Sequence, residues 1–145
     1  MNQPYNLYQQ TSVTTCNPMK LVVMLYDGAI NFLKESIEDI GKKEIKNKII
    51  AINRAKDIIT ELNNSLKCEI GGEFALTLRR LYYFMDRHLF QANLNNNTQA
   101  IHEVIKLLST LREAWQDAYN QTAVPGTAPY DQIENRSYRQ SGIRI

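Results

Sequence analysis

Apolar residues recur at spacings of three, four and seven through four successive segments of this 145-residue chain. That spacing places the apolar side chains of each segment on one face of an α-helix. Each segment is about 20 to 24 residues long, or roughly 30 to 36 Å at the helical rise. Four helices of matched length with short connections favour an all-α fold, an antiparallel up-down four-helix bundle. The alternation of apolar and polar residues that is typical of a β-strand is not seen.

The first helix is predicted to begin at Asn17-Pro18, because Asn is a favoured N-cap and Pro suits the first helical position. It is predicted to run to about Ile40, with Gly41 as its C-terminal stop. The wide apolar stripe of this helix indicates that it is buried on more than one side.

The second helix is predicted from about Glu44 to Lys67, and the break at Gly71-Gly72 separates it from the third. Between the third and fourth helices lies the Asn-rich sequence NLNNNT, residues 93–98. Asn tolerates left-handed backbone and is a good N-cap, so this sequence predicts a turn that also caps the fourth helix.

Composition divides the chain into three parts. Residues 1–17 carry no charge but include aromatic residues, which is typical neither of a helix nor of a solvated tail. Residues 18–121 are predicted to form the bundle. Residues 122–145 contain proline and glycine without helical periodicity, which predicts a flexible tail.

Charge and hydropathy argue against several classes of protein. The net charge of +2 is too small to indicate nucleic-acid binding. The sequence contains no run of 18 apolar residues, so no transmembrane helix is indicated. The N-terminus does not resemble a signal peptide, so export by that route is not expected. Cys16 and Cys68 are interpreted as free thiols, although a disulfide between them stays an open alternative.

Catalytic and metal-binding patterns are missing from the sequence. A di-iron bundle requires Glu three residues before His, whereas Met85 precedes His88 and Gln99 precedes His102 at that spacing. There is no GxSxG elbow and no phosphate-binding loop. We therefore predict no enzyme activity, no cofactor and no metal, and interpret both histidines as surface residues.

The triplet Tyr26-Asp27-Gly28 interrupts the apolar run of the first helix. Glycine inside a helix costs roughly 1 kcal/mol relative to alanine. We interpret Gly28 as a packing notch in one continuous helix, where another helix or a large side chain such as Trp115 or a tyrosine needs the space. Asp27 lies on a different face, where it would cap, pair with a basic neighbour or contact a partner.

Several motifs occur together and in order: NPMKLVVMLYDGAINFL, GGEFALTLRRLYYFMDRHLFQAN, NNNTQAIHEV and LREAWQDAY. Over about residues 4 to 120 the chain resembles the flagellar secretion chaperone FliS family. The resemblance implies a bundle with an N-terminal cap segment, residues 1–17, folded over it, in the bacterial cytoplasm. The alternative for this segment is a disordered terminus, since chain ends fray unless they are tied down. It also implies binding to the disordered C-terminal region of flagellin, which prevents premature polymerisation and assists delivery to the flagellar type III export gate. The export-gate protein FlhA and a co-chaperone are further implied partners.

A different class stays open at this point, namely a self-associating helical adaptor or regulatory bundle that does not bind flagellin. It predicts a stable homo-oligomer without affinity for flagellin.

Partner-binding residues are predicted from the motifs and from helix geometry. Tyr82 and Tyr83 are adjacent and point about 100° apart, so both cannot occupy the same part of the core. The alternative for Tyr82 and Met85 is an ordinary core position, and Trp115 is interpreted as core. The predicted partner-binding set comprises Tyr5, Leu7, Tyr8, Tyr26, Asp27, Tyr82, Tyr83, Met85 and Asn93.

Overall fold

A computed structural model describes residues 19–66 and 72–121 of the chain. The described residues form four α-helices: α1 (Met19–Gly41), α2 (Ile45–Ser65), α3 (Gly72–Asn95) and α4 (Thr98–Asn120). α1 packs against α2 and α4, and α3 packs against the same two helices. The predicted all-α four-helix bundle is confirmed. The N-terminal cap segment, the Asn17-Pro18 helix start, both cysteines and the tail lie outside the described residues.

Two contacts between α2 and α3 show that these helices run in opposite directions. The Lys48 ammonium donates to Asn93, and the Lys56 ammonium lies 3.8 Å from a carboxylate oxygen of Asp86. As α2 advances from 48 to 56, its partner on α3 moves back from 93 to 86. This order is the one that an up-down bundle with short connections requires.

All four helices contribute large side chains to one core. Full burial of such a side chain stabilises the fold by about 1.5 to 3 kcal/mol. Trp115 is buried as predicted, although its indole N–H has no hydrogen-bond partner among the described residues. The fully buried side chains include Leu33, Ile52, Leu62, Leu78, Leu89, Ile101 and Leu108.

The end of α1 differs from the prediction. Gly41 is the last helical residue, because the Lys42 N–H still donates to the Glu38 carbonyl. The left-handed residue is Lys43, with φ of 61°. The Glu44 N–H donates to Asp39 and closes the turn, so the chain reverses two residues later than Gly41.

The other helix boundaries are close to the predicted ones. α2 begins one residue later than predicted, and the side chain of Glu44 makes no capping hydrogen bond. The Asn-rich turn behaves as predicted: Asn96 is left-handed, with φ of 53°. Asn97 caps α4 by accepting a 3.1 Å hydrogen bond from the Ala100 N–H.

Gly28 lies within α1, which continues through it without a break. A Cβ added there would lie 3.3 Å from Cδ1 of Ile58 on α2. The predicted close approach is confirmed, and of the alternatives it is another helix, α2, that needs the space; the neighbour is neither Trp115 nor a tyrosine. Periodicity fixes which residues share a face, and it does not show which helix that face meets.

Candidate functional site

Four of the five large apolar side chains that α3 exposes lie in one row on its outer side. Leu76, Tyr83, Phe90 and Leu94 are 51%, 59%, 52% and 65% exposed, respectively. Residues three and four positions apart are neighbours on a helix, so these side chains lie in one row with Arg80 and Arg87 between them. We call this row of six residues the α3 seam. An apolar row of this length at a surface is typical of an interaction site.

Arg80 and Arg87 add positive charge to the α3 seam. Both side chains are exposed, and neither forms an ion pair within residues 19–66 and 72–121. They line an open depression together with Tyr83 and Asp86. The seam therefore combines apolar area with two guanidinium groups that are available to a partner.

α2 borders the α3 seam along one side. The Lys56 ammonium lies 5.3 Å from the centre of the Phe90 ring, within the range of a cation–π contact, and also approaches Asp86. Ile45 and Ile49, in the first turns of α2, are exposed as well. The apolar surface thus extends from α3 onto the neighbouring end of α2.

A buried lysine fixes α2 against the last turn of α3. The Lys48 ammonium donates to the Asn93 backbone carbonyl at 2.7 Å and to the Asn93 side-chain oxygen at 2.9 Å. A positive charge at a helix C-terminus interacts favourably with the carbonyl groups that end there. Asn93, predicted to bind a partner, is thereby part of the support for the seam, and its role in binding stays a prediction.

Three of the predicted partner-binding residues lie in the core. Tyr26, Tyr82 and Met85 are at most 2% exposed. The hydroxyl groups of Tyr26 and Tyr82 form a 2.5 Å hydrogen bond across the bundle from α1 to α3. This is the core position that the sequence left open for Tyr82 and Met85. Tyr83 points outward, so the predicted divergence of the adjacent tyrosines is confirmed.

Asp27 forms an ion pair with Arg112 and so joins α1 to α4. The Arg112 Nε donates to Oδ1 at 2.8 Å and its Nη2 donates to Oδ2 at 3.4 Å. The hydrogen bond from Arg112 to Asp27 raises the pKa of the guanidinium above its usual range. Of the roles left open for Asp27, pairing with a basic neighbour is the one observed.

His88 joins α3 to α4 through a 2.6 Å contact between its Nε2 and Oε1 of Glu103. The hydrogen bond with His88 lowers the pKa of the Glu103 carboxyl from its ordinary value. The His88 ring also stacks on Phe84. His88 therefore has a structural partner, whereas His102 is exposed.

Residues 19–66 and 72–121 contain neither a cluster of metal-binding side chains nor a helix that could span a membrane. There, no three His, Cys, Asp or Glu side chains come close enough together to hold a metal ion. None of the four helices is long and apolar enough to cross a membrane.

Comparison with known proteins identifies the relatives of the chain. The family model described as flagellar protein FliS matches residues 1–122. The chain belongs to the FliS family. The family resemblance noted from the sequence motifs is confirmed.

Several relatives carry the name flagellar secretion chaperone FliS. The chain is 37% identical to the protein of Campylobacter jejuni, with 85% of this chain and 96% of the relative covered. It is 35% identical to the protein of Bacillus subtilis, with 81% of this chain and 87% of the relative covered. It is 40% identical to the protein of Salmonella typhimurium, with 74% of this chain and 80% of the relative covered. The match to these FliS proteins spans most of each relative.

Sequence reasoning missed most of the α3 seam in this FliS-family chain. The predicted set includes Tyr83 but neither arginine, and it also omits the other apolar residues of the row. A signal was present, because α3 carries a second row with spacings of four and three beside the row that forms the core. Lys48 was also missed, since a lysine in an amphipathic helix is usually solvated.

Proposed function

We propose that this chain is a flagellar export chaperone that binds the disordered C-terminal region of flagellin. In this role it prevents premature polymerisation and assists delivery to the flagellar type III export gate. The observation that carries the proposal is the α3 seam, a row of exposed apolar and arginine side chains on the described part of the bundle. Membership of the FliS family supports the chaperone role, since its named relatives are flagellar secretion chaperones.

The seam offers a client apolar area to bury. Removing apolar surface from water contributes about 25 cal/mol per Å². A disordered client loses conformational entropy when it becomes ordered, so binding requires a long contact surface. The exposed residues of α2 and α3 together provide such a surface on one side of the bundle.

Binding of this kind breaks no covalent bond, and it uses neither a nucleotide nor a metal. We therefore propose a non-enzymatic protein that works in the bacterial cytoplasm, where a client is held before export. The export-gate protein FlhA and a co-chaperone are proposed as further partners because the chain belongs to the FliS family.

The N-terminal segment, residues 1–17, is proposed to cover an apolar groove until the client replaces it, or to dock at the export gate. It carries Tyr5, Leu7 and Tyr8 and no charge. Deletion of residues 1–15 is expected to leave helicity and melting largely intact while it changes partner affinity or export. Unfolding of the deletion variant would show that the segment is structural and would contradict this role.

The direct test is isothermal titration calorimetry with a peptide from the flagellin C-terminus. We expect binding with a negative heat-capacity change, the mark of apolar burial. Absence of binding at tens of micromolar by folded protein would refute the proposal. Circular dichroism of the same sample establishes that the bundle is folded.

The competing function is a self-associating helical adaptor or regulatory bundle. Size-exclusion chromatography with and without flagellin separates the two functions. The chaperone is expected to change its elution volume only when flagellin is added. A stable homo-oligomer that ignores flagellin would favour the adaptor.

A further inference from the structure

The α3 seam alternates apolar and basic side chains along the outer side of the helix. Leu76, Arg80, Tyr83 and Arg87 follow one another at spacings of four, three and four residues. Residues of the same kind therefore repeat every seven positions, which is about 10.5 Å along the helix axis. A chain that covers this surface must match both the alternation and the repeat.

Arg80 and Arg87 determine the charge that a covering chain must carry. Both are exposed, and neither forms an ion pair within residues 19–66 and 72–121. Covering an unpaired guanidinium group removes its hydration, which is unfavourable unless a carboxylate replaces the water. The seam is therefore complementary to a chain in which carboxylates alternate with apolar side chains.

The same chain carries such an alternation after α4. Residues 129–134 read PYDQIE, and we call them the PYDQIE segment. Tyr130 and Ile133 provide two apolar side chains, and Asp131 and Glu134 provide two carboxylates. Apolar and acidic side chains thus alternate in this segment in the same order as apolar and basic side chains in the seam.

Proline favours an extended conformation for the PYDQIE segment. Proline fixes φ at about −65° and biases the preceding residue toward extended backbone, and this part of the sequence contains Pro125 and Pro129. A polyproline II helix has three residues per turn and rises about 3.1 Å per residue. In that conformation Asp131 and Glu134 would share one edge, about 9.3 Å apart, and the two apolar side chains would share another. Both separations are close to the seven-residue repeat of the seam.

α4 ends beside the beginning of the α3 seam. Glu103 of α4 lies next to His88 of α3, and the two helices run in opposite directions from the turn that joins them. α4 continues from Glu103 to Asn120, and the same distance back along α3 leads from His88 to its first turn, at Gly72. The chain beyond α4 therefore starts about one helical turn from Leu76.

The length of the connection determines the direction in which the PYDQIE segment can lie. Nine residue steps separate Gln121 from Tyr130, or about 28 Å in an extended chain. That distance is sufficient to cross the first turn of α3 and reach Leu76. It is too short to bring Tyr130 to Phe90, which lies about 27 Å along the axis from the first residue of α3 and on the side that meets α2. The segment would therefore run parallel to α3.

We propose that the PYDQIE segment covers the α3 seam of its own chain and acts as an autoinhibitory strap. Its carboxylates lie beside the two arginines, and its apolar side chains pack on the apolar residues. The paired residues are Tyr130 with Leu76, Asp131 with Arg80, Ile133 with Tyr83, and Glu134 with Arg87. The inhibition rests on the proposed function, because a client that binds the seam must first displace the segment. The contact within the chain does not depend on a client.

Paramagnetic relaxation enhancement tests this contact in the full-length protein without a client. A nitroxide label is attached at position 137 of the variant Cys16→Ser/Cys68→Ser/Ser137→Cys. We expect amide signals in the middle of α3 to broaden strongly, because the label would lie near Arg87, and the signal of Met24 on α1 to stay sharp. Broadening of the same α3 signals between separate chains, in a mixture of spin-labelled and isotope-labelled protein, would assign the contact to a second copy and overturn the proposal.

Two charge reversals in the labelled protein separate the ionic contact from a general effect of charge. The segment variant is Asp131→Lys/Glu134→Lys. The control variant is Glu35→Lys/Glu38→Lys, which changes the net charge equally at exposed positions of α1. We expect the segment variant to lose the broadening of α3 and the control to keep it. Equal broadening in both variants would contradict the pairing.

A charge swap addresses the assignment of the partners. Adding Arg80→Glu/Arg87→Glu to the segment variant reverses both sides of the contact and should restore the broadening. Failure to restore it, in a protein whose thermal melting shows a folded bundle, would contradict the assignment of these arginines.

Calorimetry with the flagellin C-terminal region tests the inhibition. The apparent affinity of a protein is reduced in proportion to the fraction of molecules that can bind. If the segment covers the seam in about nine molecules of ten, its release increases the affinity about tenfold. We expect this increase for the segment variant relative to the control variant.

The outcomes separate this inference from the proposed function. No broadening of α3 in the labelled protein, while the protein binds flagellin, overturns the inference and leaves the proposed function standing. Equal flagellin affinity of the segment and control variants overturns the autoinhibitory role. Broadening of α3 without flagellin binding by any variant supports the contact within the chain and refutes the proposed function.

Discussion

α1 and α3 have almost the same length, 23 and 24 residues, and both are rich in apolar side chains, but they use them differently. Among the large apolar residues of α1, Met24 alone is exposed within the described structure. α3 exposes five of them: Leu76, Tyr83, Phe84, Phe90 and Leu94. α1 therefore gives its apolar surface to the bundle, whereas α3 divides its surface between the core and the solvent. Exposing apolar side chains to water is unfavourable, so the outer side of α3 is a candidate binding surface.

The largest expected difference between the two helices is in the effect of truncating a leucine. Leu33→Ala on α1 removes a fully buried side chain and should lower the free energy of unfolding by about 2 to 5 kcal/mol. Leu94→Ala on α3 should change it by less than about 0.5 kcal/mol. Urea denaturation followed by the fluorescence of Trp115 measures both. Similar losses for the two variants would contradict the division of roles.

A smaller effect is expected at the notch in α1. Gly28→Leu should destabilise the bundle by about 1 to 3 kcal/mol, because the side chain would overpack the contact with Ile58. Gly28→Ala is the matched control. Its methyl group meets only the flexible end of Ile58, and the gain of about 1 kcal/mol in helix propensity offsets the contact. Thermal melting of the double variant Gly28→Leu/Ile58→Ala should show partial recovery of the stability lost in Gly28→Leu. If the two substitutions instead lower stability additively, that would argue against this contact.

The ion pair between Asp27 of α1 and Arg112 of α4 should contribute less to the free energy of unfolding. Both side chains are partly exposed, so a double-mutant cycle of Asp27→Asn and Arg112→Gln is expected to give a coupling of about 0.2 to 1 kcal/mol. The coupling should decrease as salt is added. A coupling that is insensitive to salt would show that the pair acts through packing and not through charge.

The smallest effect on stability is expected for the contact between His88 of α3 and Glu103 of α4. The pKa of Glu103 in the folded protein lies below its ordinary value of 4.5. The contact therefore stabilises the fold above that value, and its contribution is lost as the pH falls through the lowered pKa. Unfolding of the unaltered protein and of Glu103→Gln, compared from about pH 7 to about pH 3, should differ at neutral pH and converge in acid. Divergence in acid would contradict the assignment.

The number of helices and the Asn-rich turn followed from the sequence because they depend on local spacing and on the backbone preferences of single residues. The partner of Gly28, the hydrogen bond between Tyr26 and Tyr82 and the burial of Lys48 depend on which helices become neighbours. Residue spacing along one helix does not contain that information. The α3 seam lies between these cases. Its residue spacing is visible in the sequence, but the sequence does not show which of the two rows faces the core.

Lys48 has a consequence for the timing of events on this surface. Its ammonium holds the last turn of α3 against α2, next to the exposed rings and side chains of Phe90 and Leu94. Opening that turn would uncover a buried charge, so we expect its amide hydrogens to exchange with solvent slowly even in the free protein. The surface is then preformed before any encounter. Under the proposed function, the ordering step, and with it the delay in forming a complex, belongs to the client.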